Sequence, residues 1–65
     1  MSAEEMRDYC MRLQEWRLKV HVRMKNESIP LTGRISAVDK REFSLTTEQE
    51  VRILPYAWVA KISNA

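Results

Sequence analysis

The fold of this chain is decided by residues 18–62, which read LKVHVRMKNESIPLTGRISAVDKREFSLTTEQEVRILPYAWVAKI. Apolar and polar side chains alternate over the first eight of these residues, and this period of two is typical of a strand with one buried face. The buried face is predicted to carry Leu18, Val20, Val22 and Met24. The opposite, solvent-exposed face is predicted to carry Lys19, His21, Arg23 and Lys25.

Turn and strand signals continue along the rest of this stretch. Asn26-Glu27-Ser28 predicts a turn, residues 29–38 a second strand, and Asp39-Lys40-Arg41 another turn. Gly33 lies inside the second strand pattern, where a glycine marks a sharp bend or a close approach of another backbone. Three further strand signals follow at residues 43–45, 51–54 and 55–62, the last of which includes a short turn. The pattern predicts a small, strongly bent antiparallel sheet.

An N-terminal helix is predicted at about residues 3–17. Ser2 and Glu5 have the spacing of a capping box, in which each side chain satisfies a free backbone amide at the start of a helix. Apolar residues then recur at steps of three and four, which places them on one helix face. This face consists of Met6, Tyr9, Cys10, Leu13 and Trp16. We expect it to cover the open end of a barrel at residues 18–63, so that residues 1–65 form one domain.

The layout of these residues resembles the Sm/LSm family, and in particular its bacterial, Hfq-related branch. The matching residues are Val20, Val22, the Met24-Lys25-Asn26 run, Gly33 and, six positions later, Asp39. Residues 51–62 resemble the second motif of the family, and an N-terminal helix is also a family trait. The resemblance implies a mostly β protein, with one helix before an Sm-like (SH3-like), five-stranded, strongly bent antiparallel open barrel. It also implies a homo-oligomeric, hexameric or heptameric ring that binds single-stranded RNA as a chaperone or regulator.

The sequence departs from the family pattern at positions that matter for function. Glu27 stands where the family usually has the turn glycine. Compared with the family pattern, one extra residue separates Asp39 from Phe43, so no residue of this sequence is assigned to the family's uridine-stacking position. Tyr56-Ala57 occupy the positions at which Hfq-type proteins carry a lysine-histidine pair near the pore. Gln14-Glu15 occupy the positions of their rim arginine pair. Two alternatives therefore stay open. One is a ring that has lost RNA binding, and the other is an SH3-like barrel that serves as a protein-interaction or structural module.

Length and composition limit the class of protein further. A chain of 65 residues forms one domain with a small core, and its single cysteine excludes an internal disulfide, so we expect self-association to supply stability. No apolar run reaches the roughly 20 residues that span a bilayer. The acidic N-terminal residues are unlike a signal peptide, which predicts a cytoplasmic protein without a membrane partner.

The reactive side chains are too few for catalysis or metal binding. We expect Cys10 to be a small buried hydrophobic residue and His21 to be a free surface histidine, because neither has a second ligand or a base beside it. Asp39 and Glu42 lie in one turn and form no obvious carboxylate pocket. The sequence therefore predicts no enzyme activity, no metal, no cofactor and no small-molecule substrate.

Basic side chains are in excess in the predicted barrel. Residues 18–65 hold eight basic and five acidic side chains. Such an excess alone is typical of a solvated face, but in a ring the same basic loop from every copy would converge on one axis and attract phosphates. The residues predicted to bind RNA lie in the turns, and they are Lys25, Asn26, Lys40, Arg41, Tyr56 and Trp58. Tyr56 and Trp58 alternate along the chain and are expected to point the same way. For Trp58 the interface with a neighbouring copy is favoured over base stacking.

Overall fold

The computed structural model describes residues 2–65 as one helix followed by five strands. The helix α1 spans Ala3–Trp16, and the strands are β1 (Lys19–Met24), β2 (Leu31–Val38), β3 (Glu42–Thr46), β4 (Val51–Pro55) and β5 (Val59–Asn64). A 3₁₀ turn at Tyr56–Trp58 connects β4 to β5. The predicted fold class, one N-terminal helix before a five-stranded antiparallel sheet, is confirmed.

The helix begins and ends through local contacts that the sequence encodes. The Ser2 side chain accepts a 3.2 Å hydrogen bond from the Glu5 amide, as expected for a capping residue. At the other end Arg17 adopts a left-handed conformation with φ of 53°, and its amide bonds to the carbonyls of Gln14 and Leu13. This conformation ends α1 and directs the chain into β1.

All strands of the sheet are antiparallel, in the order β4-β3-β2-β1-β5. The register shifts twice, between Arg23 and Met24 where β1 pairs with β5 and between Ile35 and Ala37 where β2 pairs with β3. An extra residue in one strand of a pair bends that strand and increases its twist. These irregularities therefore curve the sheet, while β4 and β5 remain as its two edges.

The core lies inside the curve of the sheet and under α1. It consists of Cys10, Leu13, Val20, Val22, Met24, Ile35, Phe43, Leu45, Leu54, Tyr56 and Val59. Gly33 is buried opposite Val20, and a Cβ atom at this position would overlap the carbonyl group of Thr46. The close backbone approach predicted for Gly33 is confirmed.

Two residues predicted to be in the core are largely outside it. Trp16 ends α1 one turn beyond the buried Leu13 and is 61% exposed, because the chain turns away at Arg17. Leu18 precedes the first residue of β1, so the alternation of the strand does not fix its side chain, and it is 37% exposed. The apolar face of α1 thus contacts the core of the barrel through Met6, Tyr9, Cys10 and Leu13.

Candidate nucleic-acid interface

The two turns predicted to meet RNA lie against each other. The Tyr56 amide donates a 3.0 Å hydrogen bond to the carbonyl of Arg41, and the Tyr56 hydroxyl donates one of 2.6 Å to the carbonyl of Asp39. The β2–β3 turn is thereby fixed to the 3₁₀ turn before β5. Lys40 and Arg41 are exposed on this turn.

Tyr56 itself is a core residue, and its prediction as an RNA-stacking residue is corrected. Its side chain is 5% exposed and its ring stacks on Phe43 with centroids 5.7 Å apart. Burial raises the pKa of the Tyr56 hydroxyl to about 12. Tyr56 and Trp58 do not share a face because they lie in a 3₁₀ turn, where residues two apart point in different directions.

Trp58 lies beside the turn after β1. The Lys25 amide donates a 2.7 Å hydrogen bond to the Trp58 carbonyl. The indole is 52% exposed and lines a groove of about 200 Å³ together with Asn26, Ile53 and Pro55. The structure thus brings Lys25, Asn26 and Trp58 together, while Lys40 and Arg41 lie on the neighbouring turn.

A basic face lies on the outside of the sheet, where the sequence predicted the exposed side chains of β1 but not the basic partners that β2 and β5 add to them. Lys19 is directly opposite Arg34 across β1 and β2, and Arg23 is directly opposite Lys61 across β1 and β5. All four side chains are exposed. Like charges at directly opposite positions destabilise a sheet. We define the basic face as Lys19, His21, Arg23, Arg34 and Lys61.

The positive charge of this face is not neutralised by nearby carboxylates. Within residues 2–65 its four lysine and arginine side chains form no ion pair. The Arg34 side chain instead donates a 3.3 Å hydrogen bond to the carbonyl of Arg17. On the side of Lys19, Glu50 lies 3.7 Å from Arg52, whereas Glu48 lines the adjacent cavity and forms no ion pair within residues 2–65. The face therefore presents a local positive potential to solvent.

His21 occupies the centre of the basic face. Its partners across the sheet are the uncharged residues Thr32 on β2 and Ser63 on β5. The Nδ1 atom of His21 lies 2.8 Å from the hydroxyl oxygen of Thr32. A shallow cavity of about 330 Å³ adjoins the ring and is lined by His21, Arg23, Pro30, Lys61 and Ser63.

The edge strand β4 exposes apolar side chains. Val51 is 61% exposed and Ile53 is 62% exposed, and β4 has a neighbouring strand on one side only. An exposed strand edge with β-branched apolar residues is a site for pairing with another chain. Strand β5 is the second free edge of the same sheet.

The remaining chemistry of the described chain offers no obvious reaction centre. Cys10 is fully buried, and burial raises the pKa of its thiol to about 12, so it is protonated at neutral pH. No cluster of three or more histidine, cysteine or acidic residues suited to a metal ion occurs between Ser2 and Ala65. In the same range, no helix is both long and apolar enough to cross a membrane.

The helix and the bent five-stranded sheet together define an Sm-like fold. The structure is similar to a 1.55 Å crystal structure of the pleiotropic translational regulator Hfq, with a TM-score of 0.80 and 15% sequence identity. The similarity covers 91% of this chain and 97% of that chain. No family model matches the sequence, and a search of curated proteins found no match. The predicted resemblance to the Hfq-related branch is thus confirmed at the level of the fold.

Proposed function

We propose that this protein binds single-stranded RNA on its basic face, and that it does so as a homo-oligomeric ring. The observation that carries this proposal is the register of the sheet, which sets Lys19 against Arg34 and Arg23 against Lys61. Both pairings cost stability in the free protein. A bound polyanion offsets this cost, because each phosphate neutralises charge and releases counterions from the nucleic acid.

The arrangement of the face suits an extended strand of RNA. Alternate side chains along β1 are about 7 Å apart, so Lys19, His21 and Arg23 form a row of donors along one direction. Single-stranded nucleic acids bind to such basic tracks, on which exposed planar side chains add stacking. An RNA-binding role also agrees with the similarity to a translational regulator.

The turn residues predicted from sequence have a secondary part in this proposal. Lys25 lies beside Ser2 and Met6 near the start of α1, and Asn26 lines the groove next to Trp58. Lys40 and Arg41 add exposed charge on the neighbouring turn. Trp58 lies next to Ile53 of the edge strand, and we assign it to the interface with a neighbouring copy. Tyr56 has no part, because it is buried.

Ring formation would use the two free edges of the sheet. Pairing of β4 from one copy with β5 of the next would cover Val51 and Ile53 and leave no edge open. Such a head-to-tail contact joins two different surfaces, and it closes into a ring when its rotation divides a full turn. A hexamer or heptamer would repeat the basic face around one axis. The proposed role is that of a non-enzymatic RNA chaperone or regulator in the cytoplasm, without a cofactor.

RNA affinity and its salt dependence test the basic face. We would titrate labelled oligo(U) with the wild type and with Arg23→Gln and Lys61→Gln, and follow fluorescence anisotropy at several salt concentrations. Each variant is expected to bind more weakly, and the slope of log K against log salt should fall by about 0.7 for each lost phosphate contact. Arg12→Gln is the matched control, because it removes the same charge from the exposed face of α1. Unchanged binding by both face variants would contradict the proposed site.

A further inference from the structure

We infer that His21 makes RNA binding by the basic face dependent on pH, with tighter binding when its imidazole is protonated. This inference rests on the proposed function and names a form of regulation for the same site. Histidine is the side chain that ordinarily changes charge between about pH 5 and 8. His21 is exposed at the centre of the face, where a proton would add a charge between two cationic pairs.

The groups around His21 favour coupling between the proton and a bound anion. On its own strand the nearest side chains of the same face are Lys19 and Arg23, and the adjacent strands add Arg34 and Lys61. The residues directly opposite, Thr32 and Ser63, are uncharged. A phosphate bound on the face would place negative charge beside the ring, and negative charge nearby favours the protonated form of an imidazole.

Acidic groups lie on one side of the face only. Glu48 and Glu50 belong to the β3–β4 turn and line a cavity of about 420 Å³ next to Lys19 and Thr32. Glu50 lies 3.7 Å from Arg52, so its charge is partly compensated. The cavity adjoining His21, Arg23 and Lys61 has no acidic residue in its lining.

The hydrogen bond of His21 is compatible with both charge states of the ring. The Thr32 hydroxyl can donate to or accept from Nδ1, so it keeps the ring in place when the proton is added. Within residues 2–65, Nε2 makes no hydrogen bond. A protonated Nε2 is therefore a donor for an RNA phosphate. By linkage, bound RNA must favour the protonated ring by the same free energy with which the proton strengthens binding.

Two substitutions separate the charge of His21 from its shape. His21→Gln keeps a polar side chain that is uncharged at every pH of the binding experiment. His21→Lys is charged at every pH of that experiment. We would measure binding of labelled oligo(U) to the wild type and both variants from about pH 5.5 to 8 at constant ionic strength. Uridine has no group that titrates in this interval, so a change reports on the protein.

The expected result is a wild-type affinity that rises about fivefold or more from the upper to the lower pH. His21→Gln should stay weak and His21→Lys should stay tight across the range. A flat wild-type curve, or the same pH dependence in His21→Gln, would overturn the inference while leaving RNA binding intact. Absence of binding by the wild type at every pH would overturn the proposed function as well.

Proton NMR of the single histidine gives a second readout. The ring resonances of His21 should titrate at higher pH in the presence of oligo(U) than in its absence. Identical titration curves with and without bound RNA would also overturn the inference.

Discussion

The hydroxyl of Tyr56 donates a 2.6 Å hydrogen bond to the main-chain carbonyl of Asp39. The amide of the same residue bonds to the carbonyl of Arg41, so one residue of the 3₁₀ turn fixes both ends of the β2–β3 turn. The ring between these two bonds packs on Phe43 in the core. A turn with two exposed basic residues is thus attached to the core of the barrel.

Removal of this hydroxyl tests its structural role. Tyr56→Phe keeps the ring and loses the donor to Asp39, which leaves the carbonyl without that partner. The free energy of unfolding is expected to fall by about 1 kcal/mol in urea denaturation. Tyr9→Phe is a control, because it removes the hydroxyl of the other tyrosine, which is only partly buried. RNA affinity of the folded Tyr56→Phe variant should be unchanged, and a large loss of binding would return Tyr56 to the interface.

Gly33 is required by the approach of another strand rather than by its own backbone conformation. Its φ is not positive, but a Cβ atom would overlap the carbonyl of Thr46. Gly33→Ala is expected to destabilise the fold by at least about 1–3 kcal/mol, because backbone atoms cannot move aside as a flexible side chain can. Ser28→Ala, in the exposed β1–β2 loop, is the control. Equal melting temperatures for the two variants would contradict this prediction, because they would show that β2 and β3 make room for a Cβ atom without loss of stability.

Most of the fold could be predicted because its signals are local. The Ser2–Glu5 spacing and the alternation of β1 involve residues close in sequence. Ser2 caps the Glu5 amide and β1 alternates as expected, whereas the Glu5 carboxylate accepts from the Ser2 hydroxyl rather than from the Ser2 amide. The exposure of Trp16 could not be predicted from periodicity, since it depends on where Arg17 turns the chain away. The short turn expected before the fifth strand is present at residues 56–58, but its 3₁₀ conformation was not predicted, so Tyr56 and Trp58 were expected to point the same way.

The candidate site was harder to predict because it is assembled by strand pairing. The positive side chains on the outer face of β1 were visible in the sequence. The opposition of Arg23 and Lys61 depends on the pairing of β1 with β5, strands that are far apart along the chain. Tyr56 was predicted to stack on RNA because its planar ring belongs to the turn before the fifth strand, whereas in the structure the ring is buried and its hydroxyl donates to the main-chain carbonyl of Asp39.

Alkaline pH should destabilise the protein through its buried thiol. Burial raises the pKa of Cys10 to about 12 from an ordinary value of 9.0. The folded state therefore holds this proton more tightly than the unfolded state. The contribution of the protonated thiol to the free energy of unfolding is complete below pH 9 and is lost as pH rises toward 12. Tyr56 contributes in the same direction, because burial also raises its pKa to about 12.

Cys10→Ala separates the thiol from the other alkaline groups. Thermal unfolding of the wild type and this variant would be compared at a series of pH values above 8. The variant starts less stable because it loses buried volume. The difference between the two melting temperatures should then shrink as pH rises. A constant difference would contradict burial of a neutral thiol in the folded state.

The edge strand β4 provides a test of ring formation. Ile53→Lys places a charge on the exposed face of this strand and is expected to lower the oligomeric state in sedimentation velocity. Ile29→Lys is the matched control, since Ile29 is 77% exposed in the β1–β2 loop and takes the same chemical change away from the edges. Equal sedimentation of the two variants would exclude β4 from the interface.

Native mass spectrometry of the protein with and without short oligo(U) tests ring formation and RNA binding together, because one spectrum reports both copy number and bound RNA. We expect a closed oligomer of six or seven copies that takes up RNA, and loss of the RNA-bound species in Arg23→Gln combined with Lys61→Gln. A monomer or dimer without RNA would contradict it, and so would a ring that stays free of RNA.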